Sequence, residues 1–141
     1  MKILLPVDGS ECALRAVDHL ITHATWFRDI PEIHLLHVHP PIPIGRVQAH
    51  VGKETLHGYY QEEGLAQLTE AQQKLEAAGC LYTTHIHVGQ AAEVVAKVAL
   101  DLSCELIVMG THGRSGLAGL VMGSVASRVL HLVACPVLLV K

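Results

Sequence analysis

Five glycines, at positions 110, 113, 116, 119 and 123, fall within fourteen residues and end in Gly123-Ser124, where a run of helical period begins. Glycine offers a ligand bare peptide N–H groups with no Cβ in the way, and it lets the chain turn through positive φ. The helix that follows has unpaired amide protons in its first turn and the positive end of its dipole there, which suits phosphate oxygens. Ser124 and Ser127 add hydroxyls to that turn. The segment is not a Walker A loop, because no Gly-Lys-Ser/Thr follows at the required spacing, and no GxGxxG follows the first strand. A loop merely turned by glycines is the competing explanation. Asp8, in Pro6-Val7-Asp8-Gly9-Ser10, is a second candidate. A carboxylate at the end of a first strand can accept ribose hydroxyls or sit beside a phosphate-bound cation, and it can equally cap the next helix.

Catalytic candidates are few. A hydrolase needs a positioned base and charge-stabilising groups near the γ-phosphate, and only His112 and Arg114 stand in the glycine segment to supply them. A phosphoacceptor receiver domain needs an acidic pair after strand 1 and an Asp after strand 3; those places read Asp8-Gly9 and Val88-Gly89, which excludes it. Eleven histidines invite a metal hypothesis. His37 and His39 share one strand face, as do His85 and His87, but no carboxylate or cysteine completes a recognisable ligand set, so no protein-only metal site is expected. His19 and His23 form an i, i+4 pair on a helix face read as solvated.

These residues must be positioned by elements, and the chain alternates β-branched runs with segments of helical period, the pattern of a parallel sheet covered by helices on both faces. Strands are expected over residues 2–7 (KILLPV), 32–38 (EIHLLHV), 81–88, 105–109 (ELIVM) and 136–140 (PVLLV). Helices are expected from the Ser10 N-cap to about residue 26 or 27, over 60–78 with Gly79 as its left-handed stop, over 90–102, and over 123–133. The apolar stripe of the second helix runs through Leu65, Leu68, Ala71 and Leu75, and Val94, Val95, Val98 and Leu102 face inward from the third. Residues 40–58, with prolines at 40, 41 and 43, read as an irregular excursion. Five parallel strands of this kind take the order 3-2-1-4-5 or 2-1-3-4-5, and periodicity does not choose between them. Only the first sets the ends of strands 1 and 4 side by side where strand order reverses.

Bulk composition narrows the function classes. The chain of 141 residues is one domain in length, and 50% hydrophobic with 16% charged residues excludes a disordered chain. A net charge of -3 provides no excess of cations for a nucleic-acid backbone. The apolar run at residues 1–7 is too short for a signal segment or a membrane span, so a cytoplasmic protein with no membrane contact is expected. Four cysteines without CxxC spacing (Cys12, Cys80, Cys104, Cys135) read as reduced thiols.

Pro6-Val7-Asp8-Gly9-Ser10, Leu36-His37-Val38, Ile107-Val108-Met109-Gly110-Thr111-His112-Gly113, Gly123-Ser124-Val125 and Pro136-Val137-Leu138-Leu139-Val140 together resemble the universal stress protein family over essentially the whole chain. The spacing from Gly110 to Gly113 and on to Gly123-Ser124 resembles that of its ATP-binding branch. The resemblance implies a doubly wound, Rossmann-like α/β domain with order 3-2-1-4-5, acting as a nucleotide-responsive stress or signalling module that engages a protein partner. By the same resemblance Pro6, Val7, Asp8 and Val38 border adenine and ribose, and Met109 and Gly110 line the ribose side. Gly113, Gly123, Ser124 and Val125 hold the phosphates, and magnesium or manganese arrives with ATP, beside Asp8. The resemblance also implies a homodimer paired through residues 136–140. One departure is Ala126, where ATP-binding members often carry Ser or Thr; the loss is about 1 kcal/mol for one hydrogen bond, with Ser127 the nearest substitute. A slow ATPase or phosphotransferase, and a nucleotide-free dimeric interaction module, are the alternatives.

Overall fold

The computed structural model describes residues 1–42, 52–113 and 122–141. Its strands are β1 (Lys2–Pro6), β2 (Glu32–His39), β3 (Tyr82–Val88), β4 (Leu106–Gly110) and β5 (Val137–Val140). Its helices are α1 (Glu11–Thr22), α2 (Lys53–Ala77), α3 (Ala91–Asp101) and α4 (Ser124–Leu132). All four strand pairings are parallel, and the order is β3-β2-β1-β4-β5. The arrangement therefore reverses between β1 and β4, as the family resemblance implied.

Alternation along each strand sends successive side chains to opposite layers. Ile3, Leu5 and Leu35 meet Leu68, Ala71 and Leu75 of α2 on one face; Leu4, Leu36 and Ile107 meet Val95 and Val129 of α3 and α4 on the other. Both faces being covered explains why the centre of β1, Ile3 to Leu5, reads as a continuous apolar run instead of an alternating one.

Three expectations are corrected. Helix α2 begins at Lys53, so residues 53–58 of the expected irregular excursion are helical, and Gly58 sits in the helix where a side chain would project into open space. Leu65 is 45% exposed; the buried stripe of α2 instead enters at Tyr60, passes Gly64 against Ile86, and continues through Leu68, Ala71 and Leu75. Residues 43–51, including Pro43, lie outside the described residues. Helix α1 also ends earlier than its period suggested, with a 3-10 turn over Ala24–Trp26 tightening its exit.

The histidines separate by layer. In the β2–β3 register His37 lies opposite Ile86, while His85 and His87 lie opposite Leu36 and Val38, so the two same-face pairs point to opposite sides of the sheet. The imidazole that does meet His85 is His34, buried, with Nδ1 3.0 Å from His85 Nε2. Burial, then the charges of His34 and His87, hold the His85 pKa below the ordinary histidine value. Among the described residues no three His, Cys, Asp or Glu side chains are placed to hold a metal ion. All four cysteines are free thiols, two buried and two half-buried. Among the described residues no helix is long and apolar enough to cross a membrane.

Candidate functional site

A cavity of about 410 Å³ opens where β1 and β4 end side by side. Pro6, Val7 and Asp8 enter it from the end of β1, and Leu36 and Val38 from β2. Met109, Gly110, Thr111, His112 and Gly113 form the β4 wall, and Gly123, Ser124, Val125 and Ala126 bring in the start of α4. Ala91 and Val95 of α3 close the apolar side. The result is an apolar slot at one end and a helix N-terminus at the other.

The β1 corner is built by a chain of short contacts. Val7 N–H donates to the Leu36 carbonyl at 2.8 Å, and the buried His37 donates from Nδ1 to the Val7 carbonyl at 2.9 Å, which puts its ring proton on Nδ1. Asp8 Oδ1 accepts from Ser10 N–H at 3.0 Å and from Ser10 O–H at 2.6 Å. Ser10 Oγ in turn accepts from Ala13 N–H at 3.2 Å as the N-cap of α1. Asp8 is therefore not itself the cap of α1, which is Ser10: one carboxylate oxygen holds the cap residue while the side chain lines the cavity.

The glycines here are required for space. Gly110, Gly113 and Gly123 are not among the positive-φ residues, which among the described residues are Gly9, Gly79, Gly89 and Ser103. A Cβ on Gly113 would stand 2.6 Å from Asp8 Oδ2, and one on Gly110 would stand 2.8 Å from the Cys12 carbonyl in the first turn of α1. Gly123, with φ -72° and ψ 159°, is the N-cap of α4 and donates its N–H to the Thr111 carbonyl at 2.7 Å, closing the neck of the glycine segment. Residues 114–121, and with them Arg114, Gly116 and Gly119, lie outside the described residues.

Ten of the eleven nucleotide-site residues named from sequence line this one cavity, and Ser127 does not. Its N–H donates to Gly123 O, and the buried Ala126 occupies the wall instead. Ala126 thus presents a methyl where a hydroxyl was wanted. Thr111, Ala13, Leu36, Ala91 and Val95 were missed as wall residues. Thr111 stood inside the quoted Gly110-to-Gly113 motif, so its position was a usable signal; Leu36 and Val95 read as ordinary core because a base slot and a core share the same side chains.

Carboxylate, apolar slot and helix start meeting at a strand-order reversal define an open-sheet α/β protein of the kind that takes ligands at the carboxyl ends of its strands. The particular family follows from comparison: the sequence profile of the Universal stress protein family matches residues 1–141, and this chain belongs to that family. Universal stress protein MJ0531 of Methanocaldococcus jannaschii is 34% identical over 99% of this chain and 81% of its own length. The solved structure of MJ0577, from the same organism, superposes with a TM-score of 0.84 at 32% identity, covering 99% of this chain and 94% of that one. A universal stress protein solved in complex with cAMP shares the fold at a TM-score of 0.72 and 24% identity, covering 100% and 97%.

Proposed function

We propose that residues 1–141 form one cytoplasmic nucleotide-binding domain whose cavity takes an adenine nucleotide, ATP in the first instance, and whose nucleotide state alters contacts with a protein partner. The observation that carries this reading is the convergence of the α4 N-terminus, the Asp8 carboxylate and an apolar slot in a single cavity of about 410 Å³. Each supplies what one part of a nucleotide needs. The slot between Val38, Leu36, Val95 and Met109 suits a flat purine; Asp8 suits ribose hydroxyls; the first amides of α4 suit phosphate. A family member solved with cAMP lends support from the adenine side.

The residues present fit a cation only as the nucleotide's companion. Asp8 is the one carboxylate in the described wall, and no described three-residue ligand set stands there, so magnesium or manganese would be held chiefly by phosphate oxygens. Equilibrium dialysis of the protein against ATP and magnesium is the direct test: saturable binding at one site per chain is expected, and none at millimolar ATP would remove the proposal.

The same reading includes a homodimer. β5 is the last strand in the sheet order, paired only with β4, and all four of its residues are half-buried, so an apolar strand edge is left to associate. Sedimentation velocity at micromolar concentration should give a species of twice the 15.2 kDa chain mass; a monomer under those conditions would exclude this edge as a stable seam.

A further inference from the structure

We infer that the outer edge of β3 is a second self-association surface, to which a second copy of this chain adds its own β3 antiparallel across a two-fold axis while His85 is neutral. β3 ends the sheet on the side away from β5, and among the described residues no strand lies beyond it. Gly89 N–H donates to the His39 carbonyl at 3.0 Å, and His39 stands opposite Val88 in the parallel register. The period of a parallel ladder then turns the peptide groups of Thr83, His85 and His87 toward β2, and those of Tyr82, Thr84, Ile86 and Val88 outward. Edges are ordinarily blunted by a charged side chain, a Pro or a bulge. β3 has none of these: its register with β2 is unbroken, and Tyr82-Thr83-Thr84-His85-Ile86-His87-Val88 carries no charge except what its histidines take up.

The strand is complementary to itself. His85 is its midpoint, so a two-fold axis there sets Tyr82 opposite the partner's Val88 and Thr84 opposite the partner's Ile86 as hydrogen-bonded pairs, aromatic on β-branched and β-branched on β-branched. His85 then faces the partner's His85 in the closer, non-hydrogen-bonded kind of pair, where like charges repel. The half-buried ring is held from behind: its Nε2 lies 3.0 Å from Nδ1 of the buried His34, whose own Nε2 lies 3.1 Å from Glu32 Oε1. The exposed His87 meets the partner's Thr83 instead. Other nearby charges are engaged: Glu76 accepts from Tyr82 O–H on the α2 side, and in α3 Glu93 pairs with Arg128 and Lys97 with Asp101. Burial, then the charges of His34 and His87, hold His85 below the ordinary histidine value, so the edge charges only in acid. The seam proposed on β5 lies at the opposite edge, and two-fold contacts at both edges alternate into an open array. The side chains that β3 shares with the uncovered face are Thr and His where all of β5 is apolar, so the β3 contact is the weaker of the two.

The test is sedimentation equilibrium of the full chain from about 5 to about 300 µM at fixed ionic strength, a range that brackets a dissociation constant on the order of 100 µM for one short strand pair. At about pH 7.5 the weight-average mass of wild-type protein should rise with concentration to at least about twice its dilute value, and at about pH 5 the association should weaken roughly tenfold. Thr84→Pro removes an outward N–H and no bond to β2, while His85→Lys fixes a charge at the midpoint; both should keep the dilute mass throughout. Thr84→Val, which retains the N–H, should associate as wild type does, and His85→Gln should associate at both pH values. A wild-type mass that stays constant at about pH 7.5, a rise that survives in Thr84→Pro or His85→Lys, or a His85→Gln protein that dissociates in acid as wild type does overturns the proposal. All four variants leave β5 untouched, so a dilute mass of one chain counts against the β5 seam alone.

Discussion

Gly123→Val is expected to weaken ATP binding about 100-fold, because two charge-assisted hydrogen bonds to phosphate at about 1.5 kcal/mol each are displaced. The backbone at Gly123 suits any residue, so nothing is lost through φ and ψ. The obstacle is space: a Cβ there stands 3.1 Å from the Thr111 carbonyl oxygen and 3.3 Å from His112 Cα, and the valine methyls beyond it have only the cavity to fill. Stability should fall by about 1 kcal/mol, a few degrees in Tm, since the clash is tight without being prohibitive. Gly113→Ala acts at the same site by another route. Its methyl would meet Asp8 Oδ2 at 2.6 Å, and Asp8 cannot retreat without stretching its two bonds from Ser10. About a tenfold loss is expected, the value of one weakened hydrogen bond. Isothermal titration of both variants beside wild type checks these figures; unchanged affinity in both would place the phosphates somewhere other than the start of α4.

Gly110→Ala should act on stability, lowering it by about 3 kcal/mol and Tm by about 9 °C. A methyl on Gly110 would lie 2.8 Å from both the carbonyl carbon and the oxygen of Cys12 and 3.0 Å from Ala13 N. These are backbone atoms in the first turn of α1, with no flexible side chain to give way. The helix start must move, and the Asp8–Ser10–Ala13 chain of bonds moves with it. Gly58→Ala is the matched control: it lies within α2 with nothing inside 4 Å of the added Cβ, so no loss is expected. A thermal melt in which Gly110→Ala and Gly58→Ala coincide would show that the contact between β4 and α1 is looser than these distances.

Much of this was legible one residue at a time. Ser10 announced a helix start because a hydroxyl before an apolar period has few better uses, and it accepts from Ala13 N–H as that role requires. The glycine spacing marked the wall of the cavity because bare backbone at the end of a strand is a local feature. Helix α2 was less legible: Gly58 and the prolines before it argued against helix over 53–58, while packing of Tyr60 and Gly64 on the sheet carried the helix past Leu65, which the period had turned inward. Propensity is a weak prior once a surface is there to be covered.

By itself the sequence determined the alternation of strands and helices, the capping residues, and the residue types at the carboxyl ends of β1 and β4, because each depends on neighbours within a few positions along the chain. Tertiary structure decided the rest. Strand order depends on which distant edges pair. The meeting of His34 with His85, in place of His37 and His39 with His85 and His87, depends on which face each strand turns to its neighbour. The reason for Gly110 and Gly113 depends on a helix turn and a carboxylate about a hundred residues away. Contacts of that separation leave no period in the chain; they arise only when the sheet has closed and two backbones compete for the volume a single methyl would occupy.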